Sequence, residues 1–167
     1  MTDLISIRSL VRAMFITLAL VPLLPGCDRG LLVNEVREIP GEIWHDKDSL
    51  EFSIPVTDTL LPYDLQITLR HTVDYAYMNL FLFVDTEFPD QKMHRDTIEL
   101  ILAQPNGDWI GEGFGRLRYN RFLIRKALVF PDTGSYNFVF VQAMRTPALS
   151  GIRDLGIQMK MSDQGSR

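Results

Sequence analysis

The residue with the most definite chemistry in this sequence is its single cysteine, Cys27, which follows Leu24-Pro25-Gly26. A leucine three positions before a cysteine and a small residue directly before it form the pattern of a bacterial lipobox. Cleavage between Gly26 and Cys27 would leave an N-terminal cysteine carrying thioether-linked lipid, with several acyl chains of the palmitate type. Several chains on one residue give stable anchoring where one chain is marginal. Pro25 stands where a small or hydroxyl residue is usual. Upstream, Arg8 and Arg12 precede an uncharged run from Ala13 to Leu24. That run is shorter than the about 20 apolar residues a membrane-spanning helix needs, so it reads as a signal peptide. One cysteine also excludes a disulfide framework and a cysteine-based zinc cluster.

Two further groupings carry possible chemistry. Trp109-Ile110-Gly111-Glu112-Gly113-Phe114-Gly115 spaces three glycines by two. It lacks the strand–helix context of a dinucleotide site. Read as a strand, Gly111, Gly113 and Gly115 leave one face bare, which permits either a bend or bulge or the close approach of a flat ligand. A basic run follows, Arg116, Arg118, Arg121, Arg125 and Lys126, with no acid between Gly115 and Pro131. It reads either as a surface for lipid headgroups or an acidic partner, or as a solvated edge kept from aggregating by its charge. These eight residues form the candidate interaction surface. His45, His71 and His94 never fall at metal-ligand spacing, and the serines lack a nucleophile-elbow context. The residues therefore predict no catalytic site, no metal and no cofactor.

The elements that hold these residues are strands. With 46% hydrophobic and 23% charged residues, the chain has the composition of a packed globule. Its net charge of −4 argues against nucleic acid as a partner. Tyr63, Leu65, Ile67 and Leu69 alternate with polar residues, predicting a strand with one wet face. Met78–Val84 is almost continuously apolar, predicting a central strand covered on both faces. Thr97–Leu102, Phe122–Phe130, Tyr136–Val141 and Gly156–Met161 are further strands. Turn residues at 61–62, 88–90, 105–107 and 131–134 separate them. The prediction is an all-β chain: one antiparallel β-sandwich of jelly-roll or immunoglobulin-like type over 31–161. A signal peptide (1–26) and a lipidated tether (27–30) precede it, and a frayed polar tail (162–167) follows.

Four stretches in order give the chain a family resemblance. They are PYDLQITLR (62–70) with NLFLF (79–83), then DTIE (96–99) leading to AQPNGDWIGEG (103–113). VFP (129–131) and GSYNF (134–138) through QAMR (142–145), and LSGIRDLGI (149–157), complete the set. Together with the lipobox they resemble the gliding-motility lipoprotein family GldH of Bacteroidetes. That resemblance implies a non-enzymatic cell-envelope lipoprotein needed for gliding and linked to type IX secretion. It implies a membrane and other envelope motility or secretion proteins as partners, and no catalytic residue. No run of acidic residues of the surface-export kind follows Cys27, which favours a periplasm-facing location. The oligomeric state stays open. A second reading is a glycan- or peptide-binding sandwich, which requires exposed rings among Trp44, Tyr75, Tyr77 and Trp109.

Overall fold

A computed structural model describes residues 30–162. The predicted leader, Cys27 and the tail beyond Ser162 lie outside the described residues. The strands are β1 (Leu31–Glu38), β2 (Ile43–His45), β3 (Ser49–Val56), β4 (Tyr63–Thr72) and β5 (Asn79–Glu87). They continue with β6 (Met93–Ile101), β7 (Leu117–Leu128), β8 (Gly134–Gln142), β9 (Ala148–Ser150) and β10 (Ile152–Met161). One sheet has the order β1-β10-β4-β7, the other β3-β8-β5-β6, and β2 pairs with β9. All pairings are antiparallel. Within the four-stranded sheets, β5 and β6 are joined directly as a hairpin, and the other connections pass between sheets. This is the eight-stranded jelly roll, one of the two sandwich types the alternation predicted.

Period-2 patterning builds the core. Leu65, Ile67 and Leu69 of β4 lie opposite Met159, Ile157 and Leu155 of β10, all facing inward. From the other sheet Phe52 meets Phe140 edge-on, with ring centroids 5.7 Å apart. Residues of one parity therefore fill the space between the sheets.

Two strands differ from their sequence reading, in opposite directions. β5 is central in its sheet, yet only Leu80 and Leu82 of its apolar run are fully buried; Phe81 and Phe83 are 36% and 37% exposed on the outer face. Phe83 is sheltered there by the Arg95 guanidinium, 5.3 Å from its centroid. β4, by contrast, is buried on both faces. Two of its outer polar residues find partners: Arg70 Nε donates to Asp154 (2.7 Å), and Asp64 accepts from the Ser162 hydroxyl (2.6 Å) and the Ala127 N–H (2.9 Å), while Gln66 Oε1 on the same face is buried without a partner among the described residues. Hydrogen-bonded polar side chains can be covered without an orphan penalty, so polarity alone did not mark a wet face. Ser162, which the sequence puts in the tail, is buried by this bond and by its N–H to the Pro62 carbonyl.

The topology gives the sandwich two ends. Gly30 enters beside Met161, whose N–H donates to the Gly30 carbonyl (2.7 Å), and β7 finishes at this tether end. The 102–116 loop and the start of β7 lie at the far end.

Candidate interaction site

The glycine segment is a bent loop at the far end rather than a strand with a bare face. Isolated bridges tie Ala103 to Trp109 and Glu112 to Tyr119 across it. Gly113 has φ +155°, and a Cβ there would fall on the Leu117 carbonyl. A Cβ on Gly111 would lie 2.6 Å from the Asn120 amide nitrogen. These two glycines serve close approach of backbone to β7.

The basic run does not form one patch. Alternation places Arg118 in the inner row of β7 and Arg121 in the outer row. A register shift between Leu123 and Arg125 then brings Arg125 to the inner rim, opposite Leu65. Arg116 forms a two-pronged bridge to Glu42 (2.9 and 2.8 Å), which Arg153 also reaches at 3.4 Å. Arg116's hydrogen bonds, more than Arg153's, hold the Glu42 carboxyl below the ordinary carboxylate range. Arg118 donates to the carbonyls of Gly115 (2.9 Å) and Leu117 (2.8 Å), binding the loop to its own strand. Arg121, Arg125 and Lys126 are exposed. Arg121 lies over the Tyr119 ring at 5.8 Å, and Arg125 is 3.7 Å from Asp96. The two arginines nearest the glycines thus hold the loop, while three cations along the rest of β7 face solvent.

Asp96 and Arg125 stand at the mouth of an apolar cleft between the edge strands β6 and β7. The cleft has a volume of about 190 Å³ and runs between the sheets past Ile98, Ile124, Val84 and Phe130. His94 Nε2, 3.3 Å from Asp96, completes the mouth. Asp96, Ile98 and Ile124 are site residues that sequence reasoning did not select. Their signal was the alternation itself, once β6 and β7 are known to be neighbouring edges.

Farther along the same side two buried polar groups face inward. His71 is fully buried between Trp109 (4.6 Å between centroids) and Tyr75 (5.7 Å). Its Nδ1 lies 2.9 Å from the Thr72 carbonyl, which makes Nδ1 the donor. Nε2 has no partner among the described residues. Burial holds the imidazole below its ordinary pKa, and Arg118 adds to the effect. Asn120, beside His71 on the neighbouring strand, also has both amide atoms without a partner among the described residues.

The four rings do not make an exposed stacking set. Trp44 and Tyr75 are buried, and Trp44 Nε1 donates to the Asp48 carbonyl at 3.0 Å. Trp109 is half-buried against His71, which leaves Tyr77 as the exposed ring. What the described surface offers is therefore an apolar cleft with a charged mouth and a row of cations beside it.

The chain matches the model of the "GldH lipoprotein" family over residues 32–159. It is 32% identical over 158 residues to a "Gliding motility lipoprotein GldH homolog" of Christiangramia forsetii, covering 90% of this chain and 96% of that one. It is 31% identical over 148 residues to the "Gliding motility lipoprotein GldH" of Flavobacterium johnsoniae, covering 84% and 91%. Among solved structures it is similar to the Yersinia pseudotuberculosis-derived mitogen at 4% identity, with a TM-score of 0.35 and coverage of 80% and 90%. It is also similar to TmCBM61 in complex with beta-1,4-galactotriose, at 8% identity, with a TM-score of 0.32 and coverage of 77% and 88%. On the family match and the identity to these relatives, the chain belongs to the GldH lipoprotein family.

Proposed function

We propose that this chain is a non-enzymatic accessory component of gliding motility, linked to type IX secretion and held at a membrane of the cell envelope by acyl chains on Cys27. Its domain faces the periplasm. The observation that carries the reading is the near full-length similarity to two relatives named for gliding motility, in a chain whose single cysteine follows Leu24-Pro25-Gly26. The tether between Cys27 and β1 is about four residues, a reach on the order of 10 Å, which keeps the Gly30 end close to the bilayer. β7 runs towards that end and finishes there, so Arg125 and Lys126 lie near the membrane and Arg121 farther up the side of the domain. Arg125 and Lys126 are thus placed for lipid headgroups or an acidic partner at the membrane, while the Gly111, Gly113 and Gly115 loop is held by Arg116 and Arg118 at the far end. The burial of Trp44 and Tyr75 removes stacking rings that a glycan site would use.

The test is a deletion strain scored for colony spreading and for secreted protein. Deletion is expected to abolish or reduce both, and Cys27→Ala to shift the protein from the membrane to the soluble fraction without restoring them. Normal spreading and secretion in the deletion strain would refute the reading.

A further inference from the structure

Four strands end the two larger sheets among the described residues, and three of them carry features that discourage pairing with another strand. β3 contains Pro55, β1 points Glu35 and Arg37 inward beside Val33, and β7 has two register shifts and a basic row. β6 differs: Met93–Ile101 pairs with β5 residue for residue, without a shift and without proline. Its inner row carries one acid, Asp96, which Arg125 of β7 already faces at 3.7 Å.

The backbone phase of β6 is fixed at both ends. The Phe88 N–H donates to the Lys92 carbonyl (2.9 Å), and the Leu102 N–H to the Met78 carbonyl (2.8 Å). The even-numbered residues between therefore bond β5, and the N–H and C=O groups of Met93, Arg95, Thr97, Glu99 and Ile101 point to the free edge. The side chains of these same five residues stand on the outer face, in line with Phe81 and Phe83. In order they read apolar, basic, threonine, acidic, apolar. That row is complementary to itself when reversed about Thr97.

We propose that β6 is a self-pairing edge, and that the chain forms a two-fold dimer by antiparallel pairing of β6 with β6 of a second copy, centred on Thr97. In this register Thr97 meets its own copy, Arg95 meets Glu99, and Met93 meets Ile101. All fall at hydrogen-bonded positions, and the two four-stranded sheets become one of eight. Opposite charges and paired threonines directly across an antiparallel pair are favourable, and like charges there are not. Arg95 keeps its bridge to Asp85 within its own copy while its second side faces the partner's Glu99. In the inner row Asp96 comes opposite Ile98 and His94 opposite Leu100, so no like charges face each other directly there. β7 does not offer this, since its two register shifts break the regular ladder that such pairing needs. This inference stands apart from the gliding reading: it concerns how two copies meet, and holds or fails whatever the cell does with them.

The full chain in detergent, with protein mass taken from light scattering after size exclusion, provides the test. The unmodified chain is expected to run as two copies. Glu99→Arg sets arginine against arginine and Arg95→Glu sets glutamate against glutamate, so each alone is expected to weaken the dimer by about tenfold or more. Mixing the two variants restores both cross pairs, and the mixture is expected to dimerise again. Circular dichroism on each variant establishes that it is folded. Thr97→Cys is expected to crosslink to its own copy under oxidation, because the facing Cα atoms would be about 5.5 Å apart, within disulfide reach. Arg95→Cys alone is expected not to crosslink, since its copy lies four residues away, about 13 Å. A one-copy mass for the unmodified chain would overturn the proposal. So would dimers unaffected by Glu99→Arg, or dimers in which Arg95→Cys crosslinks and Thr97→Cys does not.

Discussion

The sandwich is finished differently along its two long sides. Between β1 and β3 the Arg37 guanidinium lies over the Phe52 ring, 4.9 Å from its centroid, with Glu35 bonded to it at 2.6 Å. The arginine stem covers the core there, and the charged pair points inward where another strand would have to pack. Between β6 and β7 the sheets leave an apolar cleft of about 190 Å³, closed at its mouth by Asp96 and Arg125, 3.7 Å apart and 48% and 60% exposed. The unpartnered polar atoms of His71 and Asn120 belong to the β4–β7 half as well. A jelly roll with one interior has thus placed its tight packing on one side and its looser, more polar packing on the other. The looser side is also where the unblocked edge and the solvent-facing cations lie.

Truncation is therefore expected to be felt most on the closed side. Phe52→Ala is expected to cost about 3–5 kcal/mol, the range for a buried aromatic that leaves a cavity. Ile124→Ala, half-buried and already bordering a cavity, should cost roughly 1–2 kcal/mol. Urea denaturation midpoints of the two variants decide the matter, and equal losses would break the comparison. Enlarging side chains reverses the sign on one side only. Val56→Leu on β3 overfills a packed position and should cost about 1–3 kcal/mol. Val84→Leu extends into the cleft and should be neutral, or gain up to about 0.8 kcal/mol for the added methylene. A Val84→Leu variant as damaged as Val56→Leu would mean that the cleft is not open space in solution.

How far this contrast was legible in the sequence can be judged from particular strands. The alternation of Tyr63–Leu69 and the branched and aromatic run of Tyr136–Val141 identified β4 and β8, because half-burial writes itself directly into period 2. β3 carries the same signal in Leu50, Phe52, Ile54 and Val56, over a shorter and more polar run. The covering of each face was not legible. Phe81 and Phe83 are apolar yet half-exposed, and Asp64 and Thr68 are polar yet buried, because partners on other strands decide both cases. The basic run was contiguous in sequence, but strand alternation and one register shift distribute it over two faces. The cleft could not be foreseen at all, since it depends on β6 and β7 becoming neighbouring edges of different sheets.

The polar atoms on the looser side make it the acid-sensitive side. His71 is held neutral by burial, with its folded pKa below the ordinary imidazole value of 6.5. The unfolded chain then binds the proton more readily, so His71 contributes its full stability above pH 6.5 and loses it as pH falls from there towards the folded value. Thermal melting followed from pH 8 to 5 should show this decline. His71→Phe, which keeps a ring between Trp109 and Tyr75, should flatten it across that window. An unchanged slope in His71→Phe would remove His71 as its source; Glu42, whose lowered carboxyl pKa acts only at more acid pH, does not contribute within this window.

The smallest difference lies in the two arginines that guard the sides, and it separates packing from charge. Arg37→Ala removes a stem lying over a buried ring and leaves Glu35 pointing inward alone, so it should cost about 1 kcal/mol. Arg125→Ala removes a solvent-exposed partner from a long ion pair and should stay within about 0.5 kcal/mol of the unmodified chain. Salt sharpens the distinction. The contribution of Arg37 is mainly contact with Phe52 and should persist at about 1 M salt, where the Debye length is near 3 Å, while any contribution from Arg125 should vanish. Arg37→Met keeps most of the stem without the charge, and should recover most of what Arg37→Ala loses. If Arg37→Met is as damaging as Arg37→Ala, the closed side is held by its ion pair rather than by coverage of the core. The two sides would then differ in the burial of the same kind of contact, and not in kind.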